Sequence, residues 1–325
     1  MLYARLISMR LLKAVIVLFM IVIFNFFLIH LAPGDPAAIL AGEAGATDEE
    51  FLRQLREQFG LDEPLYIQLW HYISGIATLD FGYSYRQQMP VFDLIMARMP
   101  ATLLLTGTAF VLSLALGIVA GSLAAARVKK PSGSIIMALA LLFYATPLFW
   151  VALMSVVVFS VYLDWLPAYG LYTVGAGHTG LALVLDVGKH LILPATTLAL
   201  FFMAIYTRMT RASMLDASQQ DFVKTARAKG LKPGVIQRRH ILRNALLPII
   251  TLAGLQAGQM VGGAILTETV FAWPGIGRLM FEALQQRDYN LLLGIFFFSA
   301  ALVIVFNIIT DLVYGLADPR IKEAS

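Results

Sequence analysis

The stretch LLLGIFFFSAALVIVFNIITDLVYGL, residues 291–316, decides the class of fold. It contains one charged side chain, Asp311, and is otherwise almost entirely aliphatic or aromatic. A helix needs about 20 predominantly apolar residues to cross the hydrocarbon core of a bilayer, and this stretch is longer than that. The segment therefore predicts a membrane-spanning helix.

The composition of the whole chain extends this prediction beyond one segment. Hydrophobic residues make up 59% of the 325 residues and charged residues 14%, whereas about a quarter of a typical soluble domain is charged. So few charges could not cover a water-soluble surface, and so many apolar residues exclude intrinsic disorder. The absence of cysteine excludes disulfides, cysteine-ligated zinc, iron–sulfur clusters and thiol catalysis.

Five further apolar segments have the length of a span, so the sequence predicts an all-α membrane protein with six transmembrane helices. The predicted spans are Leu11–Leu31, Ala101–Ala126, Ser134–Leu163, Leu191–Tyr206, Ala245–Thr267 and Leu291–Leu316. The fourth is the shortest and contains Pro194. The first could instead be a cleaved signal peptide, because Arg5, Arg10 and Lys13 precede it, although its apolar run exceeds the roughly 7–15 residues typical of such a peptide.

Lysine and arginine are distributed unequally between the two sides of these spans. With the N-terminus inside, 17 of the 24 basic residues fall in cytoplasmic segments and 7 in outer segments. The positive-inside rule therefore predicts that both termini lie in the cytoplasm. The net charge of +4 is then a signal of membrane orientation, and it gives no reason to propose a nucleic-acid partner.

The spans divide the chain into three predicted parts. These are residues 1–31, the N-terminal tail and first span; 32–100, an extracytoplasmic helical segment; and 101–325, a five-helix core with a cytoplasmic loop at 208–243. The extracytoplasmic segment is predicted to fold, with a capping box from Thr47 to Glu50 and two helices opened by Pro64 and Pro90. It is either a small cap on the span ends or a docking platform for an extracytoplasmic partner.

The cytoplasmic loop contains a short predicted helix, for which Asp221 is the expected N-cap. Gly230 is expected to end this helix in a left-handed conformation, and Pro233 follows where the helix cannot continue. A helix of about 8 residues is some 12 Å long and marginally stable alone, so it needs a surface to pack on. Its apolar residues could face another protein, or its basic residues could hold it on anionic lipid. The apolar residues are Phe222, Val223, Ala226 and Leu231.

The sequence lacks the common motifs of catalytic and cofactor sites. No phosphate-binding P-loop, HExxH or GxSxG motif is present, so no catalytic site, cofactor site or metal site is predicted. Residues 175–180 match GxGxxG literally but lie in a predicted outer loop without the strand–helix context of a nucleotide site. The five histidines are scattered without metal-ligand spacing, which favours structural roles.

Polar residues inside the predicted spans are candidates for a solute pathway. Gln256 and Gln259 lie three residues apart on the fifth span and so share a helix face, as do Asn307 and Asp311 on the sixth. Either pair could line a pathway or hydrogen-bond between helices. Four glycines narrow the fifth span, which favours close helix packing. They are Gly254, Gly258, Gly262 and Gly263.

Several stretches together resemble a known family. TARAKGL at residues 225–231, with HILRNALLP at 240–248, resembles the cytoplasmic loop of ABC-importer permeases and, more narrowly, of the B-type permease of dipeptide/oligopeptide importers. Further matching stretches are APGDP at 32–36, GLDEP at 60–64, DFGYS at 80–84, TETVFAWPGIG at 267–277 and DPR at 318–320. One departure is that Lys224 stands where the wider family has glutamate, so a salt bridge of that glutamate is not carried over.

The resemblance implies a subunit of a heteromeric importer in the bacterial cytoplasmic membrane. Its implied partners are a second permease, two ATPase subunits that bind ATP and Mg²⁺, and an extracytoplasmic binding protein. The short cytoplasmic helix would transmit ATP-driven motion, and the chain itself would perform no bond chemistry. The substrate could be a peptide, glutathione, a nickel chelate or a sugar. An ATPase-independent channel or transporter is the alternative from another class, and an intramembrane enzyme lacks any supporting constellation. The implied coupling residues are Asp221, Phe222, Ala226, Arg227, Lys229, Gly230 and Leu231.

Overall fold

The computed structural model describes residues 2–31, 49–59, 62–84 and 86–317. The chain divides into two compact units, Met1–Pro100 with Leu279–Leu302, and Ala101–Arg278 with Val303–Ser325. Several sequence predictions fall outside the described residues, and the three-part division of the chain stays a prediction. The features outside are the Thr47 cap, the Gly60 helix end, the side chain of Asp311, and the stretches 32–36 and 318–320.

The first unit is helical apart from one short hairpin. It contains α1 (Leu2–His30), α2 (Glu49–Phe59), α3 (Leu65–Thr78), β1 (Tyr83–Ser84), β2 (Met89–Pro90), and parts of α4 (Val91–Ala126), α10 (Ile276–Gln286) and α11 (Tyr289–Ala317). The two strands pair antiparallel, with Tyr83 opposite Pro90. Pro64 directly precedes α3, where its missing N–H leaves no helical hydrogen bond unmade.

Helix α4 begins after Pro90, as predicted, and is longer than predicted. Val91, Leu94 and Ile95 on its first turns are buried. The helix then continues through Pro100 without interruption for 36 residues, so the helix predicted to follow Pro90 and the second predicted span form one element.

The described residues include four helices that are long and apolar enough to cross a membrane, or five if a bent pair counts as one span. The four are α4, α7 (Gly180–Ser218), α9 (Pro233–Val270) and the Tyr289–Thr310 part of α11. The apolar part of α1, Leu12–Leu28, is shorter. The all-helical membrane architecture is therefore confirmed, and the count of six spans stays a prediction.

The third predicted span is a sharply bent pair of helices. It forms α5 (Pro131–Ala145) and α6 (Leu148–Tyr162), which meet at an angle of 99°. Pro147 lacks a donor N–H and disfavours helical geometry in the residue before it. Thr146 accordingly has an extended backbone, with φ −83° and ψ 133°.

The core of the second unit forms where α4, α7 and α9 pack together. Its fully buried side chains include Leu105 of α4, Leu198 and Tyr206 of α7, and Ile249 of α9. Close packing is tightest at Gly254, where an added Cβ atom would overlap Thr310 of α11. This contact confirms that at least one glycine of the fifth predicted span allows a helix to approach.

Candidate functional site

The short helix of the cytoplasmic loop is present and connects two long helices. It is α8 (Asp221–Ala228), and it lies between α7 and α9 along the chain. Gly230 ends it with φ +73°, a left-handed conformation that glycine adopts without steric cost. The N-cap residue is Gln220, so Asp221 is the first helical residue instead of the cap. A carboxylate there interacts favourably with the helix dipole.

One face of α8 is buried inside the chain. Val223 and Ala226 are 0% and 4% exposed. They pack with Met214 of α7 and with Ile236 and Ile241 of α9. They therefore attach α8 to both long helices, and the coupling role implied for Ala226 stays a prediction.

The opposite face of α8 is exposed. Lys224 donates a 2.8 Å hydrogen bond from Nζ to Oδ1 of Asp221, and Thr225 and Ala228 are exposed beside them. Of the seven implied coupling residues, Ala226 is buried and Phe222 is half-buried. The other five are exposed: Asp221, Arg227, Lys229, Gly230 and Leu231.

A cavity of about 450 Å³ lies beside α8, and we call it the junction cavity. Its walls come from the last residues of α4 and α7, from α8 and the turn after it, and from the first residues of α9. Arg227 and Leu231, two of the implied coupling residues, line it. The structure thus brings these two residues together around one space.

The two glutamines proposed for a solute pathway have different surroundings. Gln256 is buried, at 6% exposure, whereas Gln259 is exposed. A second cavity, of about 300 Å³, lies between α4, α9 and α11, and its lining is apolar apart from Thr106 and Thr310. Neither glutamine belongs to that lining. A pathway role for Gln256 and Gln259 stays a prediction. Although the two residues are three positions apart on one helix, one side chain is buried and the other is exposed.

A buried carboxylate at the other end of α9 was missed by the sequence reasoning. Glu268 is 0% exposed. It accepts a 2.7 Å hydrogen bond from Oγ1 of Thr102 and a 3.0 Å bond from the backbone N–H of Arg278. Thr102 Oγ1 in turn accepts the backbone N–H of Ile276 at 2.7 Å. The sequence feature that could have indicated this site is an acidic residue directly after an apolar span. A carboxylate there lowers stability unless hydrogen-bond donors or cations surround it.

A second buried carboxylate belongs to the first unit. Ser84 Oγ donates to Oδ2 of Asp288, and the backbone N–H of Leu291 donates to Oδ1 at 3.1 Å. Burial raises the pKa of Asp288. The two hydrogen bonds and the nearby positive charge of Arg86 lower this pKa, but their combined effect is smaller than that of burial. The arrangement fastens the β1–β2 hairpin to the start of α11.

Two of the five histidines contact one aspartate near the start of α7. The Nδ1 atoms of His178 and His190 each lie 3.4 Å from a carboxylate oxygen of Asp186. The backbone N–H of Thr173 donates to the same carboxylate at 2.7 Å. These contacts fasten the loop that contains residues 175–180. In the part of the chain that the structure describes, no group of three or more His, Asp or Glu side chains is arranged to hold a metal ion.

Comparison with known proteins gives matches along almost the whole chain. Residues 117–323 match the family described as binding-protein-dependent transport system inner membrane component, and residues 2–106 match the N-terminal family of such membrane components. The dipeptide transport system permease DppB of Alkalihalophilus pseudofirmus is 38% identical over 96% of this chain and 98% of its own length. The glutathione transport system permease GsiC of Escherichia coli K12 is also 38% identical, over 96% and 97%.

A solved structure gives the same fold. The MetNI methionine ABC transporter, in an inward-facing conformation, contains a chain that matches with a TM-score of 0.56 and 16% identity, over 69% of this chain and 96% of that one. At this identity the match supports the fold alone. The family matches and the apolar helices identify a multi-pass inner-membrane protein of a non-catalytic transport family. The chain belongs to the binding-protein-dependent transport system inner membrane components, which are the permease subunits of ABC transporters.

Proposed function

We propose that this chain is a permease subunit of an ATP-driven importer and forms half of a translocation pathway for di- and oligopeptides. The observation that carries the proposal is the 38% identity to dipeptide permeases, which extends over nearly the full length of both chains. A di/tripeptide permease of Pseudomonas aeruginosa is equally similar, at 38% over 94% of this chain. An extracytoplasmic binding protein would deliver the peptide.

The proposed assembly contains a second, homologous permease and two ATPase subunits on the cytoplasmic side. The orientation follows from the distribution of 17 of 24 basic residues on one side of six spans. In this orientation both termini and α8 are cytoplasmic. The exposed face of α8, with Lys224, Thr225 and Ala228, is then the surface that an ATPase subunit contacts.

The packing of α8 explains how force would pass into the membrane. Val223 and Ala226 hold α8 against both α7 and α9, and a close-packed apolar contact moves as one body when it is displaced. ATP binding by the partner subunits would shift α8 and, with it, the ends of two spans. Such coupling requires that ATP and solute favour different states of the same element.

A bulky substitution on the exposed face of α8 tests this proposal. We expect Ala228→Tyr in the assembled importer to reduce peptide uptake by about tenfold or more, because the side chain would separate α8 from the ATPase. Lys130→Tyr is the matched control, since Lys130 is exposed in the turn before α5 and outside α8. Uptake by Ala228→Tyr equal to that of the control would contradict docking through α8. Ala226→Asp is a poorer test, because Ala226 is buried and a charge there would destabilise the packing itself.

Glutathione is the second candidate solute, because a glutathione permease is as similar as the dipeptide permeases. Measuring the affinity of the cognate binding protein for dipeptides and for glutathione distinguishes the two solutes. Nanomolar to micromolar binding of dipeptides without binding of glutathione is the expected result. Uptake of either solute by the purified chain alone in liposomes would contradict the importer proposal and support a channel.

A further inference from the structure

The junction cavity has the chemistry of an amphipathic binding site. Most of its wall is apolar, including Ala126 at the end of α4, Leu215 of α7 and Ile236 of α9. Its polar groups are Arg227 of α8, Gln237 of α9 and Ser218 of α7. A volume of about 450 Å³ accommodates a phosphate headgroup with several methylene groups.

The charge around the junction cavity is positive. Arg227 is the only ionisable side chain among the described residues that line it. Four further basic residues stand next to lining residues in the sequence, and they are exposed: Arg127, Lys129, Lys232 and Arg238. Asp216 is the acidic neighbour, and it is exposed. The surroundings therefore favour an anionic ligand.

The cavity also lies where a membrane headgroup is expected. Its walls are the last turns of α4 and α7 and the first turns of α9, and each of these helices is long and apolar enough to cross a membrane. In the proposed orientation these helix ends are on the cytoplasmic side, and the predicted span of α4 ends at Ala126, which lines the cavity. Anionic phospholipids of the inner leaflet attract clusters of lysine and arginine.

We propose that the junction cavity binds one anionic phospholipid of the inner leaflet, with Arg227 donating to its phosphate and the apolar walls holding the first part of an acyl chain. The inference rests on the proposed orientation, in which α8 is cytoplasmic. It also separates two functions of α8. Successive residues of a helix are rotated by about 100°, so Arg227 lies about 100° from Ala228, at the edge of the exposed face that would contact the ATPase.

The test is a lipid titration of the assembled importer, followed by native mass spectrometry. Phosphatidylglycerol and phosphatidylcholine with identical acyl chains are the two probes. We expect one tightly retained phosphatidylglycerol per copy of this chain, and Arg227→Gln to weaken its retention by about tenfold or more, because one charge-assisted hydrogen bond is lost. Phosphatidylcholine should bind at least about tenfold more weakly than phosphatidylglycerol.

Two further variants keep the titration interpretable. Ala126→Trp fills the cavity from an exposed position without removing Arg227, and it should abolish the tight site while its melting temperature stays that of the unaltered complex. Lys224→Gln removes a basic residue of α8 that does not line the cavity, and it should leave lipid retention unchanged.

Three results would overturn the proposal. They are equal retention of phosphatidylglycerol by Arg227→Gln and the unaltered chain, displacement of the lipid by water-soluble glycerol phosphate, and efficient cross-linking of Ser218→Cys to an ATPase subunit, which would identify a protein occupant. Lipid retention is measured without transport, so its failure is distinct from a failure of Ala228→Tyr to impair uptake.

Discussion

The two ends of α9 are held in different ways. At the N-terminal end, apolar contacts attach α9 to α8 through Val223 and Ala226, and the charged groups are exposed. At the C-terminal end, Glu268 is fully buried and accepts hydrogen bonds from Thr102 and from the first turn of α10. The N-terminal end has a cavity and surface charges beside it, whereas the C-terminal end is fully buried and held by hydrogen bonds of fixed direction.

This difference indicates which end of α9 can move. The apolar contacts join the N-terminal end of α9 to α8, so the two can move together, but a buried carboxylate loses far more stability if its donors separate from it. We therefore expect the C-terminal end to act as a fixed point while the N-terminal end follows α8. Substitutions at the two ends and in the middle of α9 should therefore differ in their effects.

The largest effect is expected at Glu268. Glu268→Ala would leave the Thr102 hydroxyl and the Arg278 N–H without their acceptor in a buried site, and we expect a loss of about 3 kcal/mol in the free energy of unfolding. Thermal or denaturant unfolding in detergent measures it. Glu268→Gln should lose less, because its amide oxygen retains one of the bonds. Equal stability of the alanine variant and the unaltered chain would contradict the prediction that the C-terminal end of α9 is a fixed point.

The middle of α9 should show the next largest effect. Gly254→Ala places a methyl group on Thr310, and overpacking of this kind costs about 2 kcal/mol. Gly262→Ala is the matched control, because no described atom lies within 4 Å of its new Cβ position. The control should change stability by less than about 1 kcal/mol. Equal melting temperatures for the two variants would contradict the close approach of α9 and α11.

A smaller effect, which depends on pH, is expected at Asp288, where burial outweighs hydrogen bonding. Because its pKa is raised in the folded state, the folded protein takes up a proton at a pH where the unfolded chain does not. The stability from this group is therefore greatest at low pH and is lost as the pH rises through the raised pKa. Asp288→Asn should remove this dependence, whereas Ser84→Ala should retain it in full, because the hydrogen bond from Ser84 lowers the pKa of Asp288. Identical melting temperature against pH for Asp288→Asn and the unaltered chain would contradict the raised pKa.

The smallest effect is expected at the N-terminal end of α9, on the surface of α8. The Lys224 and Asp221 side chains are 74% and 93% exposed, and exposed ion pairs contribute about 0.5 kcal/mol or less. Lys224→Gln should therefore leave the melting temperature almost unchanged, and added salt should not alter the difference. A loss approaching that of Glu268→Ala would mean that the two ends of α9 are equally rigid.

Local sequence signals predicted the junction of α7, α8 and α9 well. Gly230 and Pro233 predicted where α8 ends, because glycine adopts a positive φ without steric cost and proline cannot continue a helix. The prolines within the predicted spans behave differently from one another. Pro147 breaks its helix, whereas Pro194 and Pro248 lie inside continuous helices. A proline removes one backbone N–H donor and adds a bulky ring to the helix. Whether the helix then bends depends on how the neighbouring helices pack around it.

The sequence by itself determined that this is a helical membrane protein of a permease family, because apolar length, charge asymmetry and turn residues act locally. Tertiary structure alone decided that Ala226 is buried while Arg227 faces a cavity, and that Gln256 is buried while Gln259 is exposed. It also paired Glu268 with Thr102, which are 166 residues apart. Such pairings depend on which helices become neighbours, and helix spacing specifies a shared face without specifying what covers it.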